Sequence, residues 1–175
     1  HQINMVKWFL STFPLPQEFK EKANWNTQKI ENTSFSPLDS DAGESAEGNK
    51  PVELIINEDV IKVKTWQDVF IKFLKYLKDN PAYDFEFILD NQTELFRRDE
   101  TIIKWSSLKE LIDAKVDLSS RFKTFSGKVW DKEKELNDDL LFVHINISAS
   151  ACMSRIGNVM QKFNMAENSV EIRLK

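Results

Sequence analysis

A chain of 175 residues, 41% hydrophobic and 30% charged, has the size and composition of one globular domain, or of one domain with an extension. No apolar run approaches membrane-spanning length and the N-terminus lacks the charged-then-apolar layout of a signal peptide, so a cytoplasmic location is the default expectation. The single Cys152 excludes an internal disulfide, and a net charge of −4 argues mildly against a dedicated nucleic-acid binder while leaving room for a local basic patch.

The sequence begins at His1 rather than Met, as expected of a piece of a longer chain. Residues 1–31 read as an aromatic N-terminal arm, or as the end of a preceding domain. Val6, Trp8, Phe9, Leu10 and Phe13 lead to a break at Pro14-Leu15-Pro16, and a helix is expected over 17–25. Trp8, Phe9, Phe13 and Trp25 are the candidates for self-association into a homo-oligomer. Residues 32–50 are small, polar and acidic, the composition of a flexible linker, so the compact domain is expected over 51–175.

Within that domain, Val52, Leu54 and Ile56 run into Asn57-Glu58-Asp59 and out through Val60, a hairpin pattern. Thr65, with Asp68 three residues on, caps a helix over 65–79 whose Trp66, Val69, Phe70, Phe73, Leu74 and Leu77 keep helical spacing until Asn80-Pro81 ends it. Residues 85–89 and 101–105 read as strands, with a turn at 90–92, and Ser107 with Glu110 forms a capping box for a short helix. Residues 115–139 follow no period and are expected as a hairpin or loop. From Leu140 to Ile147 an apolar, β-branched run predicts a strand with one face buried and the other half-buried. Ser148 or Ser150 then caps a helix through Phe163 with apolar positions at i, i+3, i+4 and i+7, Asn164 suits a left-handed end, and Val170, Ile172 and Leu174 alternate as a last strand. The fold class expected is α+β: a mixed β-sheet with the two main amphipathic helices packed on one face, plus the separate N-terminal arm.

Chemistry-bearing motifs are sparse. The only histidines are His1 and His144, and the latter alternates with apolar residues, where a packed, hydrogen-bonded imidazole is the usual case; no metal site is expected. Cys152 lies on the apolar stripe of its helix and reads as packed rather than reactive. Four glycines assemble neither a dinucleotide fingerprint nor a phosphate-cradling loop, so no cofactor is expected, and no Gly-x-Ser-x-Gly surrounds any serine. Asp59, Asp68, Asp90, Asp99 and Glu100 share no fixed spacing, and no catalytic residue is assigned. The best candidate surface is the basic segment 96–128, where Arg97, Arg98, Lys104, Arg121 and Lys123 accompany Trp105 among other aromatics. That mixture suits a nucleic-acid strand or a protein partner. A solvated face over ordinary core aromatics accounts for it more economically, because the positive excess is small.

The segment Val60-Ile-Lys-Val-Lys-Thr-Trp66-Gln-Asp68-Val69, followed by Phe142-Val-His-Ile-Asn146-Ile-Ser148-Ala149 and then Val170-Glu-Ile-Arg-Leu174, resembles accessory C-terminal domains appended to bacterial restriction and defence proteins. The resemblance lies outside 85–139 and implies a non-catalytic module, with any nuclease or nucleotide-hydrolysing part elsewhere in the parent chain. No catalytic residue carries over. The functional expectation is therefore a non-enzymatic accessory or interaction domain of a larger bacterial protein. Its expected partners are other domains of that chain, a protein or nucleic acid, and not a membrane. The alternative is a small hydrolase or nuclease whose carboxylates converge only in the fold.

Overall fold

Leu54, Ile56, Val170, Ile172 and Leu174 are all buried and recur with a period of two, the pattern of strands with one face in a core. In the computed structural model, which describes residues 34–115, 121–133 and 135–175, they lie on adjacent antiparallel strands. The first sheet has the order β1 (Ser34–Phe35), β7 (Val170–Leu174), β2 (Pro51–Ile56), β3 (Asp59–Lys62). The expected hairpin is β2–β3, with Ile56 opposite Asp59 and both turn residues left-handed, Asn57 at φ 47° and Glu58 at φ 76°. Across the sheet Arg173 pairs with Glu53 at 2.9 Å.

Helix α2 (Trp66–Asp79) begins as its sequence dictates. The Thr65 hydroxyl accepts from the Asp68 amide at 3.1 Å, while the Asp68 carboxylate accepts from the Lys64 amide at 3.1 Å. Its buried stripe includes Val69, Phe70, Phe73, Leu74 and Leu77. Helix α6 (Ala149–Lys162) is capped by Ser148, whose hydroxyl accepts from the Ala151 amide at 3.1 Å, and Asn164 beyond it is left-handed at φ 50°. Both helices share one core with the first sheet.

The protein is α+β, but the single mixed sheet expected from the sequence is two sheets, each antiparallel. The second has the order β4 (Ile102–Lys104), β6 (Leu141–His144), β5 (Phe122–Thr124). Strand β6 is buried on both faces rather than one and a half. Leu141 and Val143 enter the main core, while Phe142 joins Ile103, Leu108 and Phe122 in a second one closed by Trp105, Trp130 and Leu140. A strand buried on both faces needs partners on both edges, so β6 takes β4 and β5, and α6 carries the chain from one sheet to the other instead of making a crossover within one.

Other differences are local. Residues 85–89, expected as a strand, form helix α3 (Phe85–Asp90), capped by the Asp84 carboxylate, which accepts from the Phe87 amide at 3.0 Å. The alternation of Phe85, Phe87 and Leu89 imitated a strand, yet only Ile88 of this helix is fully buried. The turn at 90–92 runs into helix α4 (Gln92–Phe96). Helix α5 (Trp105–Asp113) starts at its first packed residue with no side-chain cap, so the Ser107–Glu110 box does not form its end.

The chain divides into units 1–31 and 32–175. The aromatic arm and its self-association candidates Trp8, Phe9, Phe13 and Trp25 belong to the first, outside the described residues. The acidic stretch expected as a flexible linker is instead built into the second unit. Phe35 on β1 pairs opposite Ile172 and packs on Trp66. The Ser36 hydroxyl donates to the Glu167 carbonyl at 2.7 Å, and the Trp66 indole donates to the Asn49 carbonyl at 3.0 Å. Helix α1 (Ala42–Ala46) buries Ala42 and Ala46. The segment packs closely on α6: Gly43 lies where a Cβ would make an ordinary contact with that of Ser150 at 3.4 Å, and Gly157 of α6 where a Cβ would press on the Pro37 carbonyl at 3.0 Å.

Two stability outcomes follow from this packing. Gly157→Leu drives a side chain into the backbone at Pro37 and lowers unfolding stability by about 1–3 kcal/mol; an unchanged urea midpoint would show that 34–46 does not rest on α6. Glu58→Gly relieves a left-handed residue in the β2–β3 turn and raises stability by about 1 kcal/mol, read from the same midpoint.

Candidate functional site: an arginine cluster around His144

Two backbone bonds at the end of β6 set the site. The His144 amide donates to the Thr101 carbonyl at 2.7 Å, and the Ile145 amide donates to the Arg121 carbonyl at 2.7 Å. They extend the ladders with β4 and β5 by one step and fix the segments that carry Arg98 and Arg121. The Gln92 side chain holds the first of these segments from the other end, accepting from the Ile102 amide at 2.6 Å and donating to its carbonyl at 2.9 Å, as a strand partner would. Arg97 ends α4 in a left-handed conformation at φ 54°. From α6, Arg155 lies over the Phe70 ring, its guanidinium carbon 5.7 Å from the ring centre.

His144 is fully buried and meets Phe122 edge to face at 5.2 Å. The packed imidazole expected from the sequence is there, but its hydrogen bonds are not: neither ring nitrogen has a partner among the described residues, and the same holds for the buried Thr101 hydroxyl and one terminal guanidinium nitrogen, Nη1, of Arg155. A buried polar group left unpaired costs about 1–3 kcal/mol. Burial first, then the charges of Arg98, Arg155 and Arg121, lower the His144 pKa from 6.5 to about 4. Burial and Arg98 likewise push Arg155 below its ordinary range.

The chain's arginines are Arg97, Arg98, Arg121, Arg155 and Arg173. Arg173 is paired with Glu53, and the other ion pairs among the described residues engage Lys72, Lys75, Lys128 and Lys162. Arg97, Arg98, Arg121 and Arg155 have no carboxylate partner among the described residues. Guanidinium groups without an acid partner present forked donors of the kind that suit anions.

Of the residues singled out in the sequence, the fold brings Arg98 and Arg121 together at His144, with Arg97 beside Arg98. Lys104 is exposed at the end of β4, and Lys123 is half-buried on β5 opposite Val143. Trp105 packs at 5.9 Å from Phe142 and 6.3 Å from Trp130, as a wall of the second core rather than a platform for a base. Sequence reasoning missed Arg155. Its spacing, three residues after Cys152 and four before Val159, places it on the border of the buried stripe, a signal that apolar counting passes over. Cys152 is buried with its thiol pKa pushed up by burial, and the thiol donates to the Trp66 carbonyl at 3.4 Å. Among the described residues no cluster of His, Cys, Asp and Glu is arranged to hold a metal ion, and no helix is long and apolar enough to cross a membrane. No family model, curated protein or solved structure matches the chain.

The depressed histidine gives the fold a definite pH dependence. Unfolded, His144 takes up its proton near its ordinary value of 6.5, whereas folded it does so only near 4, so between these values the unfolded state binds more protons. This contribution to stability is fully present above pH 6.5 and is lost as the pH falls through about 4, a loss of about 3 kcal/mol. His144→Leu removes this slope and is no less stable at neutral pH, because it also removes the unpartnered nitrogens. Urea midpoints of both proteins at about pH 7.5 and about pH 4 measure the difference, and parallel losses would rule the imidazole out as its source.

Proposed function

We propose that the unit 32–175 is a non-enzymatic interaction domain of a larger bacterial protein, cytoplasmic and associated with nucleic acid, that meets a phosphate-bearing strand through Arg97, Arg98 and Arg121, with Lys104 and Lys123 as outlying contacts. One observation carries the reading: Arg98 and Arg121 are brought together at His144 with Arg155, and none of the three has a carboxylate partner among the described residues. Surface arginines in a chain of net charge −4 have acids to choose from, and leaving these unpaired keeps positive potential free for an anionic partner.

The hydrolase or nuclease alternative requires carboxylates that converge on the histidine. The charges that act on His144 are guanidinium groups, and its depressed pKa makes it a poor proton acceptor near neutrality. The resemblance of 60–69, 142–149 and 170–174 to accessory domains of restriction and defence proteins supports the same choice of partner.

Fluorescence anisotropy with a labelled single-stranded oligonucleotide tests the proposal. Binding is expected to weaken steeply from about 50 to about 200 mM salt, and Arg97→Glu with Arg98→Glu weakens it by about tenfold or more at the lower salt. Absence of any binding at low salt would end the nucleic-acid reading.

A further inference from the structure

Beside the cluster, a surface cavity of about 440 Å³ opens between the first turns of α6 and the end of α4. Its polar lining is Arg97, Arg155, Ser150, Ser154 and Asn158, with no carboxylate among the lining residues. Arg97 reaches it from the left-handed end of α4, and Arg155 from the second turn of α6, braced on Phe70. The Asn158 amide donates to the Leu95 carbonyl at 2.8 Å, which ties α6 to α4 and holds the two walls in register. The Ser150 and Ser154 hydroxyls stand one helical turn apart, and Ser150 lies in the first turn of a 14-residue helix, where the dipole favours negative charge.

We propose that this cavity is a binding site for a phosphoryl group, held between the Arg97 and Arg155 guanidinium groups and the Ser150 and Ser154 hydroxyls. Forked donors from two directions together with two hydroxyls match the several oxygens of a tetrahedral phosphoryl group better than the two of a carboxylate. The volume exceeds that of a bare ion and leaves room for the sugar or ester that carries it. The inference rests on reading the arginines as an anion-binding face and locates one discrete phosphate position on it. The carrier is either one nucleotide of a bound strand or a free phosphomonoester, which present the same group.

The full chain is titrated with inorganic phosphate, with sodium chloride at matched ionic strength as the control, and the thermal midpoint is read. Phosphate is expected to raise the midpoint above the chloride control. Arg155→Met, which keeps an aliphatic body over Phe70, removes the effect. Ser154→Asp, at an exposed helical position, sets a carboxylate in the cavity and weakens phosphate by about tenfold or more without requiring a core residue to change. Identical midpoints in phosphate and chloride overturn the site, and so does a full phosphate shift retained by Ser154→Asp. The oligonucleotide separates the carriers. Competition between inorganic phosphate and the strand, lost in Ser154→Asp, assigns the position to a nucleotide. A phosphate shift with no strand binding assigns it to a free phosphomonoester, sustaining the site while ending the nucleic-acid reading. Strand binding that Ser154→Asp leaves untouched removes the cavity from the strand's path and overturns its assignment to a nucleotide.

Discussion

Strand β6 is the constraint on which the rest of this fold depends. A four-residue strand with every side chain buried belongs to no single core, and here Leu141 and Val143 face one while Phe142 faces another. Both edges must be hydrogen-bonded as well, since an unpaired amide or carbonyl at this depth would carry a desolvation cost comparable to a lost hydrogen bond. The second sheet exists to meet that demand. It pairs β4, from the strand read at 101–105, and β5, from a stretch that follows no period, and the helix that leaves β6 is then free to build the main core against the first sheet.

The same strand explains why charge gathers where it does. The ladders run one residue past the regular strand, to Thr101 on one side and Arg121 on the other, and the last buried side chain of β6 is His144. Arg98 and Arg121 arrive through the segments those bonds fix, and Arg155 through α6. Neutral imidazole is the form that tolerates this company, because burial and three positive neighbours all oppose its protonation.

Much of the architecture was legible because particular residues leave little choice. Thr65 with Asp68 fixes where α2 begins, and Ser148 or Ser150 ahead of an unbroken apolar stripe places the start of α6 to within a turn; Asn57 with alternating neighbours fixes the hairpin; Val170, Ile172 and Leu174 fix β7. What sequence could not show was set at longer range. Residues 32–50 read as linker because they are small, polar and acidic, yet Ala42 and Ala46 are buried and Phe35 packs on Trp66. Phe85, Phe87 and Leu89 alternate like a strand, and the Asp84 cap decides for a helix. Strand β4 lies within the strand read at 101–105, but β5 is only three residues, too short to show a period, and depends on β6 for its pairing. At the candidate site Arg97, Arg98 and Arg121 were found through local charge density. Arg155 was not, because it stands alone in its helix and becomes part of a cluster only when α6 crosses the end of β6.

The ion pairs that form are ordinary surface pairs. Among the described residues Lys72 pairs with Asp68, Lys162 with Glu94 and Arg173 with Glu53. Exposed pairs of that kind are worth about 0–1 kcal/mol each and could be lost with little consequence. The unpaired guanidinium groups near His144 are the opposite case. Arg98 and Arg155 repel each other, Arg155 holds a buried donor without a partner among the described residues, and the imidazole beside them is unsatisfied on both nitrogens. On the proposed reading, an anion supplies the missing charge only when bound, and its binding raises stability by mass action.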